Sequence, residues 1–297
     1  MNRNVFLTAM ALFVGACVVH GQPFTIKFKE SGDGDVALVK KSDTTVTKVL
    51  VEDAGGGVLA DQNETKGDTL EFKETTIKRA AGKSPTKLMR EYVKAQSVKG
   101  DTAEDWGLQG KTVLIEKKDK QFHFTYKDGS QVEGKAAAAL AKEFGKKSDT
   151  SKEIEKMILP QKAVNVGESW KIQMAKIVTE LSKEGMTLDA TKATGKGTLV
   201  KAYKKNGRQF GEMRFSLDIP VATVGKGTAT LTFAAGAKIL MDLSLDACID
   251  GSSDAGVMKM KMTMRGDATT KGAPGATVTL EVVANLSQTQ TDLSKKR

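Results

Sequence analysis

The sequence predicts a mainly β protein built from antiparallel curved sheets or a partly closed barrel, with two short helices in the middle of the chain. Three observations carry this. Apolar and polar residues alternate with period two along many segments, the pattern of a half-buried strand. Turn signals such as Asn206-Gly207 separate those segments. Helical periodicity is confined to two stretches between residues 134 and 158. Strands with one apolar side belong to antiparallel sheet with one wet face, whereas a parallel α/β chain would place a helix between successive strands.

Along the chain, residues 1–21 read as a signal peptide. Arg3 supplies the positive start, Val5 to Val19 an apolar run of export length, and Val19-His20-Gly21 a cleavage site before Gln22. A second processing route competes. Val14-Gly15-Ala16-Cys17 resembles a bacterial lipobox, in which Cys17 would be lipidated and become the new N-terminus. Plain secretion is favoured because Val18 and Val19 continue the apolar run where lipoproteins turn polar. The expected location is therefore secreted or periplasmic, with anchoring at the membrane through Cys17 as the alternative. No apolar run after residue 21 is long enough to span a bilayer, so the mature chain is expected to lack a transmembrane span.

The first strand pattern is Phe24, Ile26 and Phe28; Leu70 and Phe72 follow in a second. Val113 and Ile115, a Lys118-Asp119 turn, then Phe122, Phe124 and Tyr126 form a hairpin. An Ala-rich helix over 134–145 carries Leu140 and Phe144 one turn apart and ends at Gly145. Thr150 and Glu153 make a capping box for a second helix holding Ile154, Met157 and Ile158, which Pro160 stops. Beyond it, Asn206-Gly207 joins a hairpin whose return strand places Gly211, Met213, Phe215, Leu217 and Ile219 on one side. Ile239 to Ala247, the methionine strand 257–265 and Val278 to Leu286 repeat the alternation. The helices divide the chain after the signal peptide into β-rich parts, 22–158 and 159–297, and leave open whether the two share a sheet.

One segment resembles a family. Leu159-Pro160-Gln161-Lys162-Ala163-Val164-Asn165-Val166-Gly167-Glu168-Ser169-Trp170 is similar to the L-P-x-K-x-V-x-V-G-x-S-W stretch of uncharacterised secreted or lipoprotein-type bacterial proteins of planctomycete-like bacteria. The resemblance covers about a dozen of the residues and implies an exported, β-rich protein; it carries no catalytic residues to transfer. Without it, Pro160 still ends a helix, Gly167 permits a turn and Trp170 anchors the next strand in the core.

Composition excludes more than it assigns. The formal charge is +10, and removing residues 1–21 takes away one cation, Arg3, leaving +9. Those charges are interspersed with acids, and only 5% of the residues are aromatic, so no basic face with stacking platforms is expected for nucleic acid. Two Trp and three Tyr argue equally against sugar-stacking subsites. Beyond His20, His123 is the one remaining histidine, on the wet side of its strand, which leaves no ready triad or zinc set. Cys248 reads as a small buried hydrophobe without a disulfide partner. Ser84-Pro85-Thr86-Lys87 matches S-x-x-K but follows a loop instead of opening a helix, and no K-T-G accompanies it. Gly55-Gly56-Gly57 and Gly195-Lys196-Gly197-Thr198 lack phosphate-loop spacing. Asp250, Ser252 and Asp254 alternate like calcium ligands, but Ala255 and Lys261 stand where a glycine and a bidentate glutamate belong.

The remaining feature is Val257 to Arg265, where Met258, Met260, Met262 and Met264 alternate with Lys259, Lys261 and Thr263. Three readings compete: a core strand, a soft-metal thioether site, and a deformable apolar lining. Same-face residues stand ~7 Å apart along a strand, too far for adjacent thioethers to share one ion. The expected function is that of an exported, non-catalytic cell-envelope protein, similar in style to bacterial lipoprotein-carrier half-barrels. It would hold an apolar or lipid-like molecule on a concave sheet face at Met258, Met260, Met262 and Met264, with no cofactor and no metal. A structural or protein-interaction module of the cell surface, with an envelope protein as partner, is the alternative. A hydrolase with paired carboxylates is a third, though no carboxylate pair can be located.

Overall fold

The computed structural model describes residues 22–294 except 82, 120, 146–156, 184, 226, 228–229 and 271. The predicted signal peptide, Cys17 and most of the predicted helix at 151–158 lie outside these residues; Met157 and Ile158 are helical.

All the described strands belong to one antiparallel sheet, so the two β-rich stretches are joined. The chain winds from the centre to one edge, crosses over, and winds back. β1 (Val36–Glu52), β2 (Val58–Lys78), β3 (Lys87–Lys99), β4 (Thr102–Asp105), β5 (Thr112–Lys118) and β6 (Gln121–Tyr126) run outward. Helix α1 (Gly134–Gly145) begins the crossing. β7 (Ser169–Lys171) then starts the other edge. After helix α2 (Met174–Ser182), β8 (Met186–Leu188), β9 (Thr194–Lys205), β10 (Arg208–Val224), β11 (Leu231–Phe233), β12 (Lys238–Cys248), β13 (Gly256–Thr270) and β14 (Thr277–Asp292) return to the centre. There β14 pairs with β1 from Ala37↔Asp292 to Glu52↔Thr277.

Three ladders are single strands with an insertion. β4 and β5 both run against β3, β8 and β9 both against β10, and β11 and β12 both lie between β10 and β13. The insertion between β4 and β5 presents Trp106 and Leu108, 6% and 0% exposed, as plugs for the core. The β9–β10 turn is as predicted: Asn206 and Gly207 take φ of 53° and 77°, the two positive values a type I′ turn requires.

Both hydrophobic cores lie on the same face, here called inner. Register shows this directly: Leu70, Lys41, Gln288, Met258, Leu245 and Met213 form one cross-strand row, with Leu70 in the first core and Met213 in the second. α1 covers the first with Ala136, Leu140 and Phe144, packed over Phe72, Val113, Ile115 and Phe124. α2 covers the second with Met174, Ile177 and Val178, over Leu199, Phe215, Ile219 and Ile239.

The mainly β, antiparallel curved class is what forms, with two differences in its parts. Phe24, Ile26 and Phe28 pack on the second core, but their segment is a strap held by single bridges, Phe24↔Val164 and Lys27↔Asp250, and not a ladder strand. Helix α2 was not expected. Its Met174, Ile177, Val178 and Leu181 follow helical spacing, but the β-branched Ile-Val-Thr run masks it.

Candidate ligand-binding face

β13 places the methionines where alternation requires. Met258, Met260, Met262 and Met264 point to the inner face, while Lys259, Lys261 and Arg265 are exposed on the outer one. Neighbouring strands widen the row into a strip. Met258 lies between Leu245 and Gln288, Met260 between Leu243 and Leu286, Met262 between Met241 and Ala284, and Met264 between Ile239 and Val282. Met264 is 6% exposed and part of the second core. Met258, Met260 and Met262 are half-buried, on the stretch of inner face between the two cores. Leu243, Leu245 and Leu286 are lining residues that the sequence did not single out, because a residue's cross-strand neighbours follow from register and not from periodicity.

A polar belt borders the strip. Past β14 the same rows continue to Lys41, Asp43 and Thr45 on β1. The Asp68 N–H donates to Asp43 Oδ1 at 2.7 Å, Ser97 Oγ donates to Asp68 Oδ1 at 2.6 Å, and Trp106 Nε1 donates to Ser97 Oγ at 2.7 Å. This chain satisfies the carboxylates where the face turns from apolar to polar.

At its other end the strip reaches a cavity of about 260 Å³, lined by Met258, Leu245, Phe28, Lys29, Asp254 and Gln290 among others. Beside it stands a charged knot. Asp292 accepts from Ser253 Oγ at 2.8 Å and lies 3.5 Å from Arg208 and 3.7 Å from Lys29. Burial alone would raise the Asp292 carboxyl, yet the hydrogen bonds from Ser253 and Ser294 and the Lys29 charge hold it below the usual range. Asp254 is the opposite case. Gln290 donates to its Oδ2 at 2.8 Å, but Oδ1 is buried with no hydrogen-bond partner among the described residues. Burial first, and the Asp292 charge second, push its carboxyl up.

A raised acid contributes stability that is complete below its unfolded value and is lost as pH rises through the folded one. Asp254→Asn therefore should raise stability at pH 7 by on the order of 1 kcal/mol or less, given residual solvent access. The gain should vanish below about pH 3.8, the ordinary value. Thermal unfolding at pH 7 and pH 3 reads this directly; a variant less stable than the parent at pH 7 would show that the charge is needed.

The other sequence candidates lie apart. His123 is exposed on β6, opposite in orientation to buried Phe124. Cys248 is 1% exposed and its Sγ donates to Asp250 Oδ1 at 3.1 Å. Asp250 also accepts from the Gln209 and Ser252 backbone N–H groups, so it and Asp254 turn to different partners. Lys87 opens β3 and pairs with Glu116 at 3.4 Å, which puts Ser84-Pro85-Thr86-Lys87 at a loop-to-strand junction. The Gly55 and Gly57 N–H groups both bond Asp53 Oδ1 in the β1–β2 turn. Among the described residues no helix is long and apolar enough to cross a membrane.

No family model and no curated protein matches the chain. Among solved structures it is similar to lipovitellin, described for its lipid–protein interactions, with 7% identity and a TM-score of 0.39 over 90% of this chain and 26% of that one. The chain thus spans about a quarter of lipovitellin's length. An outer membrane channel from Pseudomonas putida F1 has 8% identity and a TM-score of 0.21 over 89% and 98% of the two chains. P47 from Clostridium botulinum A2 has 7% identity and a TM-score of 0.17 over 83% and 80%. Likeness at this level says nothing of function.

Proposed function

We propose that this chain is an exported, non-catalytic protein that holds an apolar or lipid-like molecule on the inner face of its sheet. The observation that supports this is the strip of Met258, Met260 and Met262 with Leu243, Leu245 and Leu286, half-buried between two cores and open at the Met258 end to a cavity. Met264 forms its buried end. Unbranched thioethers repack around ligands of varied shape, and binding would come from burial of apolar surface, with no bond chemistry. The belt at Lys41, Asp43 and Gln288 would meet a polar head.

Organic extraction of the purified protein followed by mass spectrometry should release an apolar compound. A fluorescent fatty acid should bind the parent, and Met258→Asp with Met260→Asp together should weaken it by about tenfold or more, about 1.4 kcal/mol per decade. An empty extract together with probe binding that the double variant leaves unchanged would overturn the proposal.

A second reading, a protein-interaction module of the cell surface, is favoured by the β1–β2 arm. β2 pairs with β3 only from Lys66 onward and the Thr65 carbonyl is taken by the Gly100 N–H, so residues 58–64 form an open edge, and Val58 and Leu59 at its tip are 62% and 61% exposed. Under this reading an envelope protein would add a strand there. Deleting residues 53–60 would then abolish partner capture while leaving fatty-acid binding intact.

A further inference from the structure

We infer that the outer face of the sheet carries a second binding site, a groove that takes a short acidic oligosaccharide. The groove, of about 480 Å³, crosses β1, β14, β13, β12 and β10. Its volume is that of a small-molecule site. Register builds it from two adjacent rows. In the first, Lys259 stands between Ser287 and Ser244, with Ser42 and Arg214 at the ends. In the second, Lys261 stands between Asn285 and Asp242, with Thr44 and Ser216 at the ends. Short hydroxyl side chains make the floor; a sheet face with long side chains in these positions would have no depression.

The charge inside the groove is unbalanced. Elsewhere on the outer face Lys40 pairs with Glu71 at 2.8 Å, Lys48 with Glu281 at 3.9 Å and Lys238 with Asp218 at 2.7 Å, whereas Lys94 and Lys196, the latter just beyond Ser216 in the second row, are exposed. Neither Lys259 nor Lys261 has a carboxylate within ion-pair distance among the described residues, and both are exposed. Exposed Arg214 adds a third cation, paired with half-buried Glu212 at 3.2 Å. The single carboxylate in the groove, Asp242, lies opposite Lys261, accepts from Ser216 Oγ at 2.9 Å and keeps its negative charge, so Arg214, Lys259 and Lys261 outnumber it and leave the lining net positive.

The ligand follows from this inventory. Two ammonium groups based ~7 Å apart along one strand match carboxylates on successive or alternate sugar units. The flanking hydroxyls and the Asn285 amide offer donors and acceptors to ring hydroxyls. The scarcity of aromatic residues excludes sugar recognition by stacking; here recognition works through charge and hydroxyl hydrogen bonds instead. The side chains of these two rows project to the face opposite the methionine strip, while Phe215, Leu243, Met260 and Leu286 at the intervening positions complete the lining; Lys259 and Lys261 are therefore the substitutions that address this groove alone.

Calorimetry of the full chain with trigalacturonate should show binding that weakens with salt, while neutral maltotriose shows none. Lys259→Gln with Lys261→Gln should weaken trigalacturonate by about tenfold or more. Lys40→Gln with Lys48→Gln, which removes the same charge from paired positions on the same face, should change it by less than about threefold. Equal binding of maltotriose, an equal loss in the Lys40/Lys48 variant, or binding of phosphatidylglycerol vesicles without binding of trigalacturonate would each overturn the inference. Unchanged unfolding midpoints in both double variants rule out misfolding as the cause.

Discussion

Arg90→Ala should cost the fold about 3–5 kcal/mol, a large part of the roughly 5–15 kcal/mol that separates a native domain from its unfolded state. Arg90 is 3% exposed, on β3 beneath α1. Its Nε donates to Glu74 Oε2 at 2.7 Å, and its Nη1 donates to both Glu143 oxygens at 3.0 and 3.1 Å and to the Tyr92 hydroxyl at 3.4 Å. The guanidinium carbon sits 4.0 Å from the Phe72 ring centroid and 4.7 Å from that of Phe144. Burial alone would pull the guanidinium down, but Glu74 and Glu143 carry it well above its ordinary value, while burial pushes the Tyr92 hydroxyl up to about 12.

Glu143 and Phe144 belong to α1 and Glu74 and Phe72 to β2, so this one side chain joins helix to sheet by charge and by stacking. Removing it leaves two carboxylates facing a vacated, poorly solvated site, which costs more than the pair contributed. Arg90→Lys keeps the charge but loses the planar fork and the contact with both rings, and should fall between alanine and the parent. Urea unfolding measures both. An alanine variant within about 1 kcal/mol of the parent would mean that α1 is held by Leu140 and Phe144 alone.

How much of this fold was legible depended on what each strand touches. β10 and β12 cross the second core with continuously apolar inner positions, and β14 is apolar on that side from Val278 to Leu286 before it turns polar at Gln288, so their alternation stands out. β1 is central yet leaves little trace, because it runs under the polar belt and its inner residues Lys41, Asp43 and Thr45 break the apolar stripe. The interrupted ladders were invisible for a related reason. Trp106 and Leu108 return to the core from an insertion whose length has no periodic signature. Of the candidate site, the methionine row was legible from spacing alone. The leucines beside it and the outer-face groove were not, since both are assembled from neighbours distant in sequence. Lys259 and Ser42 share a row only because β14 closes on β1.

Gly197→Val should be the second severe substitution, costing about 2–4 kcal/mol through one displaced side chain. On β9, Gly197 pairs with Trp170 of β7 on one side and Phe215 of β10 on the other. A Cβ there would fall within the Trp170 indole, and one at Gly195 would strike Met174 and Leu217. The two glycines, two residues apart and so on one face, form a slot in the sheet that Trp170 and Met174 fill. Seated there, Trp170 packs edge-on against Phe215 at 5.9 Å and donates from Nε1 to the Ile158 carbonyl at 2.6 Å, which fastens the segment before β7 onto the second core. Valine expels the indole, so both the contact and the hydrogen bond are lost together. That shared cause fixes the outcome of a double-mutant cycle. Trp170→Ala should be costly in the parent but much less so in the Gly197→Val background, because valine has already removed what the indole contributed. Additive costs would show that the slot and its occupant act independently, and that the backbone of β9 carries the need for glycine.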